Sequence, residues 1–119
     1  LLHDVGLLFV SNTLLAKMSY LNRSEKAQYK RHAAAGGNML ENIPCCQDIV
    51  PYIRYHHEHW DGSGFPKHLR GANIPLGARI IAVADYYDMI INPQNSGRKP
   101  KNRPSANSSA RQACSLIRK

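Results

Sequence analysis

A chain of 119 residues with 43% hydrophobic and 20% charged side chains is sized for one small core, and none of its apolar runs approaches the ~20 residues of a membrane-spanning helix. The net charge of +8 would suggest a nucleic-acid binder, but residues 1–88 hold all eight acids and nine of the bases, while 89–119 hold seven bases and no acid. A near-neutral body with a basic tail argues against a basic nucleic-acid-binding face on the domain itself.

In chain order the pattern reads as helix after helix, with no sustained period-2 alternation to suggest a sheet. Residues 1–9 read as the end of a buried helix, and 14–21 as a short helix or turn. Ser24 is the expected N-cap of a helix from Glu25 to Ile43, with acid in its first turn and Pro44 as its stop. Asp48 is the expected cap of the next helix, with Pro51 in the first turn and Tyr52 to Glu58 following. Residues 61–73 are a Gly-rich loop stiffened by Pro66. Pro75 opens an apolar helix to Ile91. Residues 92–108, rich in Asn, Pro, Ser, Lys and Arg, read as a flexible basic loop, and 109–119 as a short C-terminal helix. The expected fold class is all-α. The domain reading is 1–91 for the main unit, then the loop, then the short helix.

Three cysteines, two of them adjacent (Cys45 and Cys46, with Cys114), show no Cys-x-x-Cys spacing, so reduced thiols and a cytoplasmic location are expected. There is no basic leader before the apolar opening, so no signal peptide is expected. The chain starts at Leu1 inside an expected helix and reads as a piece of a longer protein.

The chemistry concentrates in His56-His57-Glu58-His59-Trp60-Asp61-Gly62-Ser63-Gly64-Phe65-Pro66 and in His3-Asp4. Adjacent imidazoles suit a core badly, because each ring nitrogen needs a partner, and suit a metal site well. His32 and Gly36 are four apart and share a helix face, the glycine allowing close approach of another element. Asp85 follows the apolar run Ile80-Ile81-Ala82-Val83-Ala84, and a buried carboxylate there needs a cation or several donors. Asp88, a turn later, would orient a ligand or cap the helix. Glu58 would orient His57 in the way metal-bound imidazoles are usually held, or sit in a surface ion pair. Trp60 reads as a loop anchor, and Arg79 as one end of an ion pair across the fold.

These segments resemble the HD-GYP domain, a bacterial branch of the HD metal-dependent phosphohydrolases. The matching stretches are Leu2-His3-Asp4-Val5-Gly6, His32 with Gly36, His56-His57-Glu58, Asp61-Gly62-Ser63-Gly64-Phe65-Pro66 and Ile74-Pro75-Leu76-Gly77-Ala78-Arg79-Ile80-Ile81-Ala82-Val83-Ala84-Asp85, in the family's order over residues 1 to 90. The resemblance implies a truncated HD-type helical bundle with an irregular Gly-rich loop, and hydrolysis of cyclic di-GMP by metal-activated water. It implies His3, Asp4, His32, His56, His57 and Asp85 as ligands, with Asp4 bridging and Asp4 and His3 at the catalytic centre. Two divalent ions, iron or manganese, are the implied cofactors. Gly64, Phe65 and Pro66 stand where the family has its Gly-Tyr-Pro signature. A cyclic dinucleotide is the implied substrate, and diguanylate cyclase or receiver-type signalling domains are the implied partners, with no nucleic acid and no membrane within this chain.

Two departures from the family pattern bear on activity. Leu7 occupies a position where family members commonly carry Lys, and it cannot neutralise phosphate. The family's upstream Glu and His ligands would precede residue 1, so no third metal site is expected, and Leu1, Leu2 and Leu8 are expected to be exposed. In the tail, Arg103-Pro104 is the closest local match to the family's phosphate-binding basic residues. The alternative function is a degenerate HD-GYP module that binds nucleotide or protein without hydrolysis, favoured by Leu7. An HD-type hydrolase of another nucleotide is a third reading, opposed by the Gly-Phe-Pro loop.

Overall fold

The computed structural model describes residues 2–92, so Leu1, Arg103, the basic loop beyond Asn92 and the expected C-terminal helix lie outside the described residues. Within them every regular element is helical. The order is a 3₁₀ helix (Leu2–Phe9), α1 (Asn12–Ala16), a 3₁₀ turn (Met18–Tyr20), α2 (Arg23–Leu40), a 3₁₀ helix (Pro44–Ile49), α3 (Val50–Tyr55), a 3₁₀ turn (Gly71–Asn73) and α4 (Leu76–Ile91). The all-α expectation is met.

α2 begins two residues earlier than expected, and its N-cap is Asn22 rather than Ser24. Asn22 Oδ1 accepts the Glu25 N–H at 2.9 Å while Glu25 Oε2 accepts the Asn22 N–H at 2.8 Å. This reciprocal pairing satisfies two of the unpaired donors of the first turn, which Ser24 could not do with the residue three ahead of it. The helix ends at Leu40, short of Ile43, which is extended at φ −98° and ψ 112°. Pro44 disfavours the α conformation in the residue before it.

α3 is also not capped as expected. Its N-cap is Ile49 with no side-chain bond, so Asp48 does not cap it, although Pro51 does sit in the first turn. The helix stops at Tyr55, which leaves His56, His57 and Glu58 in the turn and loop beyond it rather than on the helix.

The core is small. Leu40, Val50 and Ile53 form its centre, with Val5, Cys46 and Ile49 packed on it. At about 1.5–3 kcal/mol for each fully buried aliphatic side chain, these few contacts fasten the opening segment to α2 and α3. Gly6 makes that junction possible, because a Cβ there would strike the His32 carbonyl and lie 2.7 Å from the Gly36 nitrogen. The opening segment is therefore a 3₁₀ helix seated directly on the α2 backbone, not the expected end of a buried helix.

α4 packs on α3 through one side only. Ala78 is its sole buried residue, and a Cβ on Gly77 would meet the Tyr52 ring at 2.7 Å. Leu76, Ile80, Tyr87, Ile90 and Ile91 are exposed, as are Leu2, Leu8 and Phe9. The exposure of Leu2 and Leu8 agrees with expectation. No helix among the described residues is long and apolar enough to cross a membrane.

Candidate metal centre

The opening 3₁₀ helix, α2 and the end of α3 converge on one carboxylate. Asp4 Oδ1 lies 3.3 Å from His32 Nε2 and 3.5 Å from His56 Nε2. His57 Nε2 in turn lies 3.1 Å from His32 Nε2. One donor atom from each of Asp4, His32, His56 and His57 falls within 4.8 Å of the others.

Backbone carbonyls aim two of these rings. His32 Nδ1 bonds the Tyr29 carbonyl at 2.6 Å, and His56 Nδ1 bonds the Ile53 carbonyl at 2.7 Å. A carbonyl can only accept, so in each ring Nδ1 carries the proton and the neutral imidazole turns its Nε2 lone pair toward Asp4. Both side chains are fully buried. Asp4 Oδ1 and His56 Nε2 are buried without a hydrogen-bond partner. Two inward-facing acceptors without a donor between them are costly unless a cation satisfies both. The donor set therefore fits a divalent ion of the kind that takes imidazole and carboxylate together.

The other oxygen of Asp4 faces a more open group. His3 Nε2 lies 3.1 Å from Asp4 Oδ2 and 4.0 Å from Asp85 Oδ1. His3, Asp4 and Asp85 form a second set with donor atoms within 4.8 Å, so Asp4 belongs to both sets. Asp85 is not the buried carboxylate its apolar neighbours suggest. Its side chain is 43% exposed, because α4 is covered on only one side. Asp88 accepts the Asn92 side-chain amide at 2.8 Å and so closes the end of α4.

The electrostatics follow from this crowding. Burial pushes the Asp4 carboxyl up, but the His3, His32 and His56 imidazoles crowded against it outweigh that and hold the group far below the usual carboxylate range. The hydrogen bond to Asp4 raises His3 above an ordinary imidazole, against the opposing effect of burial.

The loop after α3 is tied down by Glu58. This carboxylate is 1% exposed and accepts the backbone N–H groups of Lys67 at 2.6 Å and Leu69 at 3.0 Å. Its bonds thus run to the loop rather than to His57 or a surface cation. Gly64 lets the loop fold back, since a Cβ there would collide with the His57 carbonyl and the His59 nitrogen. Phe65, before the cis bond to Pro66, stacks on the His57 ring with centroids 4.7 Å apart. Asp61 accepts the Ser63 N–H and hydroxyl, which holds its carboxyl below the ordinary value. The Trp60 carbonyl accepts the Gly71 N–H at 3.0 Å. The Arg79 guanidinium lies over the Trp60 ring at 5.6 Å. Among the described residues Arg79 makes no ion pair, contrary to expectation.

All six ligand candidates named from sequence thus lie in two sets joined at Asp4. Sequence reasoning missed Tyr29 and Ile53, whose carbonyls aim the imidazoles three residues ahead of them, and Lys30, whose ammonium lies over Phe65 at 5.0 Å. A backbone acceptor leaves no mark on residue type. Lys30 two residues before His32 is a weak signal.

A family model described as HD domain matches residues 1–114. A probable cyclic di-GMP phosphodiesterase of Vibrio cholerae is 37% identical over 98 residues, covering 76% of this chain and 22% of the relative. A cyclic di-GMP phosphodiesterase of Thermotoga maritima is 34% identical over 105 residues, covering 87% of this chain and 27% of the relative. A 3'3'-cGAMP-specific phosphodiesterase of Vibrio cholerae is 36% identical over 91 residues, covering 75% of this chain and 17% of the relative. The chain therefore spans roughly a quarter or less of the length of these relatives.

Proposed function

Because this chain belongs to the HD domain family, we propose that it is the metal-holding part of a phosphodiesterase that opens cyclic dinucleotides, cyclic di-GMP first among them. Two relatives named for cyclic di-GMP and one named for 3'3'-cGAMP support the substrate class, since both molecules are rings closed by two phosphodiesters. The observation that carries the reading is Asp4 Oδ1, buried and facing the Nε2 atoms of two carbonyl-anchored imidazoles.

His32, His56, His57 and Asp4 would hold one divalent ion, and His3, Asp4 and Asp85 a second, with iron or manganese as the implied metals. Bound there, the pair would supply Lewis acidity to ionise water near neutral pH and offset charge on the phosphoryl oxygens. The chain's own residues do the rest. Asp4 would contribute to both positions, since it belongs to both donor sets. His3 holds the outer oxygen of Asp4 at 3.1 Å and would have to be deprotonated to serve as a ligand. Glu58 and Gly64 hold the loop so that Phe65 lies against His57 and restrains that ring. Hydrolysis then breaks one phosphodiester and leaves a linear dinucleotide.

A degenerate module that binds nucleotide without turnover is the second reading, favoured by Leu7 in the opening 3₁₀ helix. The test is conversion of cyclic di-GMP to its linear form by anaerobically prepared protein supplied with Mn²⁺ or Fe²⁺. Turnover that disappears in a His56→Ala His57→Ala variant is the expected result. Metal binding and nucleotide binding without turnover would select the degenerate module.

A further inference from the structure

We infer that Lys30 is a substrate-binding residue that receives the phosphodiester not being cleaved. The inference rests on the cyclic-dinucleotide reading above and names a subsite within it.

Lys30 lies on the exposed side of α2, two residues before His32. Its ammonium is not directed freely into solvent but lies over the Phe65 ring, 5.0 Å from the centroid. The same ring stacks on His57. The charge therefore lies against a ring that also touches one of the candidate ligands. Elsewhere in the fold Arg54 bonds Asn38 and Glu41, Lys17 pairs with Glu25, and Arg79 covers Trp60. Among the described residues Lys30 pairs with no carboxylate, so its charge is available to a ligand.

A cyclic dinucleotide carries two phosphodiesters, one ribose apart along each side of the ring. Only one can occupy the metal cluster at a time. The other keeps its negative charge and must lie at about the distance of one sugar from the first. Lys30 Nζ lies 5.0 Å and the His57 ring 4.7 Å from the Phe65 centroid, which keeps the ammonium within reach of that spacing. Lys30 thus contributes to holding the substrate and not to the bond that breaks, so its removal should weaken binding more than it slows chemistry.

The test is equilibrium binding of cyclic di-GMP to the metal-loaded full chain for wild type, Lys30→Met and Lys30→Arg, with metal content measured on each. Methionine keeps apolar cover on Phe65 and removes the charge, while arginine keeps the charge. We expect Lys30→Met to weaken binding about five- to tenfold at low salt, Lys30→Arg to bind within about twofold of wild type, and the difference to fade at high ionic strength. If Lys30→Met binds cyclic di-GMP as wild type does, with metal retained, the subsite is overturned alone. If its loss is the same at every salt concentration, Lys30 merely supports Phe65 and the subsite is again overturned. A wild-type chain that holds metal but binds no cyclic dinucleotide overturns the substrate reading and this subsite together.

Discussion

Around Asp4 Oδ1 the candidate ligands His32 and His56 are buried and aimed by the backbone, whereas around Oδ2 the candidates are half-open and rest on a helix with one side covered. His32 and His56 have no exposed side-chain surface, and each is locked by a carbonyl three residues earlier. His3 is 25% exposed, and Asp85 approaches it only to 4.0 Å. The contrast shows where preorganisation comes from. The first set is built where Gly6 and Gly36 bring the opening segment onto α2, so its geometry is part of the core. The second set depends on α4, which reaches the core through Ala78 and Gly77. On the proposed function the first set should bind a metal tightly, and the second weakly and exchangeably.

Asp4→Asn offers the sharpest way to break this contrast, because both sets lose their shared charge. Metal at both positions should fall, and hydrolysis of cyclic di-GMP should drop by at least about 10²–10³-fold, read by elemental analysis and by product formation. Asp85→Ala should separate the two sets. Roughly one metal per chain should remain, and activity should fall although the first set is intact. Loss of all metal from this variant would show that the two sets are one. Glu58→Gln tests the loop that restrains His57: one charged acceptor of two backbone N–H groups is weakened, at a cost of about 1–3 kcal/mol in denaturant unfolding. Its effect on the His3, Asp4 and Asp85 set should be small.

The smallest effect is a titration. In the metal-free chain His3 should titrate above the ordinary imidazole value of about 6.5, and Asp4→Asn should return it toward that value, as followed by proton NMR. A raised folded-state value means that this pair stabilises the metal-free chain fully below the unfolded value. That stability is lost as pH rises through the folded value, so stability should decline across that window in wild type and less in Asp4→Asn.

Much of this arrangement is legible in residue types. Pro44, Pro51 and Pro75 punctuate the helices as expected, and the His and Asp residues announce a cluster because so many polar rings cannot be placed in a small core without a common partner. The finer determinants are not legible, for physical reasons. The Tyr29 and Ile53 carbonyls are chemically the same as every other carbonyl in the chain. The Asn22 cap wins over Ser24 because Glu25 stands three ahead of it, a pairing that local preference for serine alone does not weigh. Glu58 bonds Lys67 and Leu69 because the loop returns through Gly64, a path that no pairwise spacing encodes. The apolar run before Asp85 states a preference for burial, which a neighbouring surface must satisfy. Among the described residues α3 does so on one side only.

The most direct measurement is a calorimetric titration of Mn²⁺ into metal-free protein under anaerobic conditions. The account predicts two unequal steps, the tighter lost in His56→Ala and the weaker lost in Asp85→Ala. A single step, two equal steps, or a tight step that survives His56→Ala would contradict it.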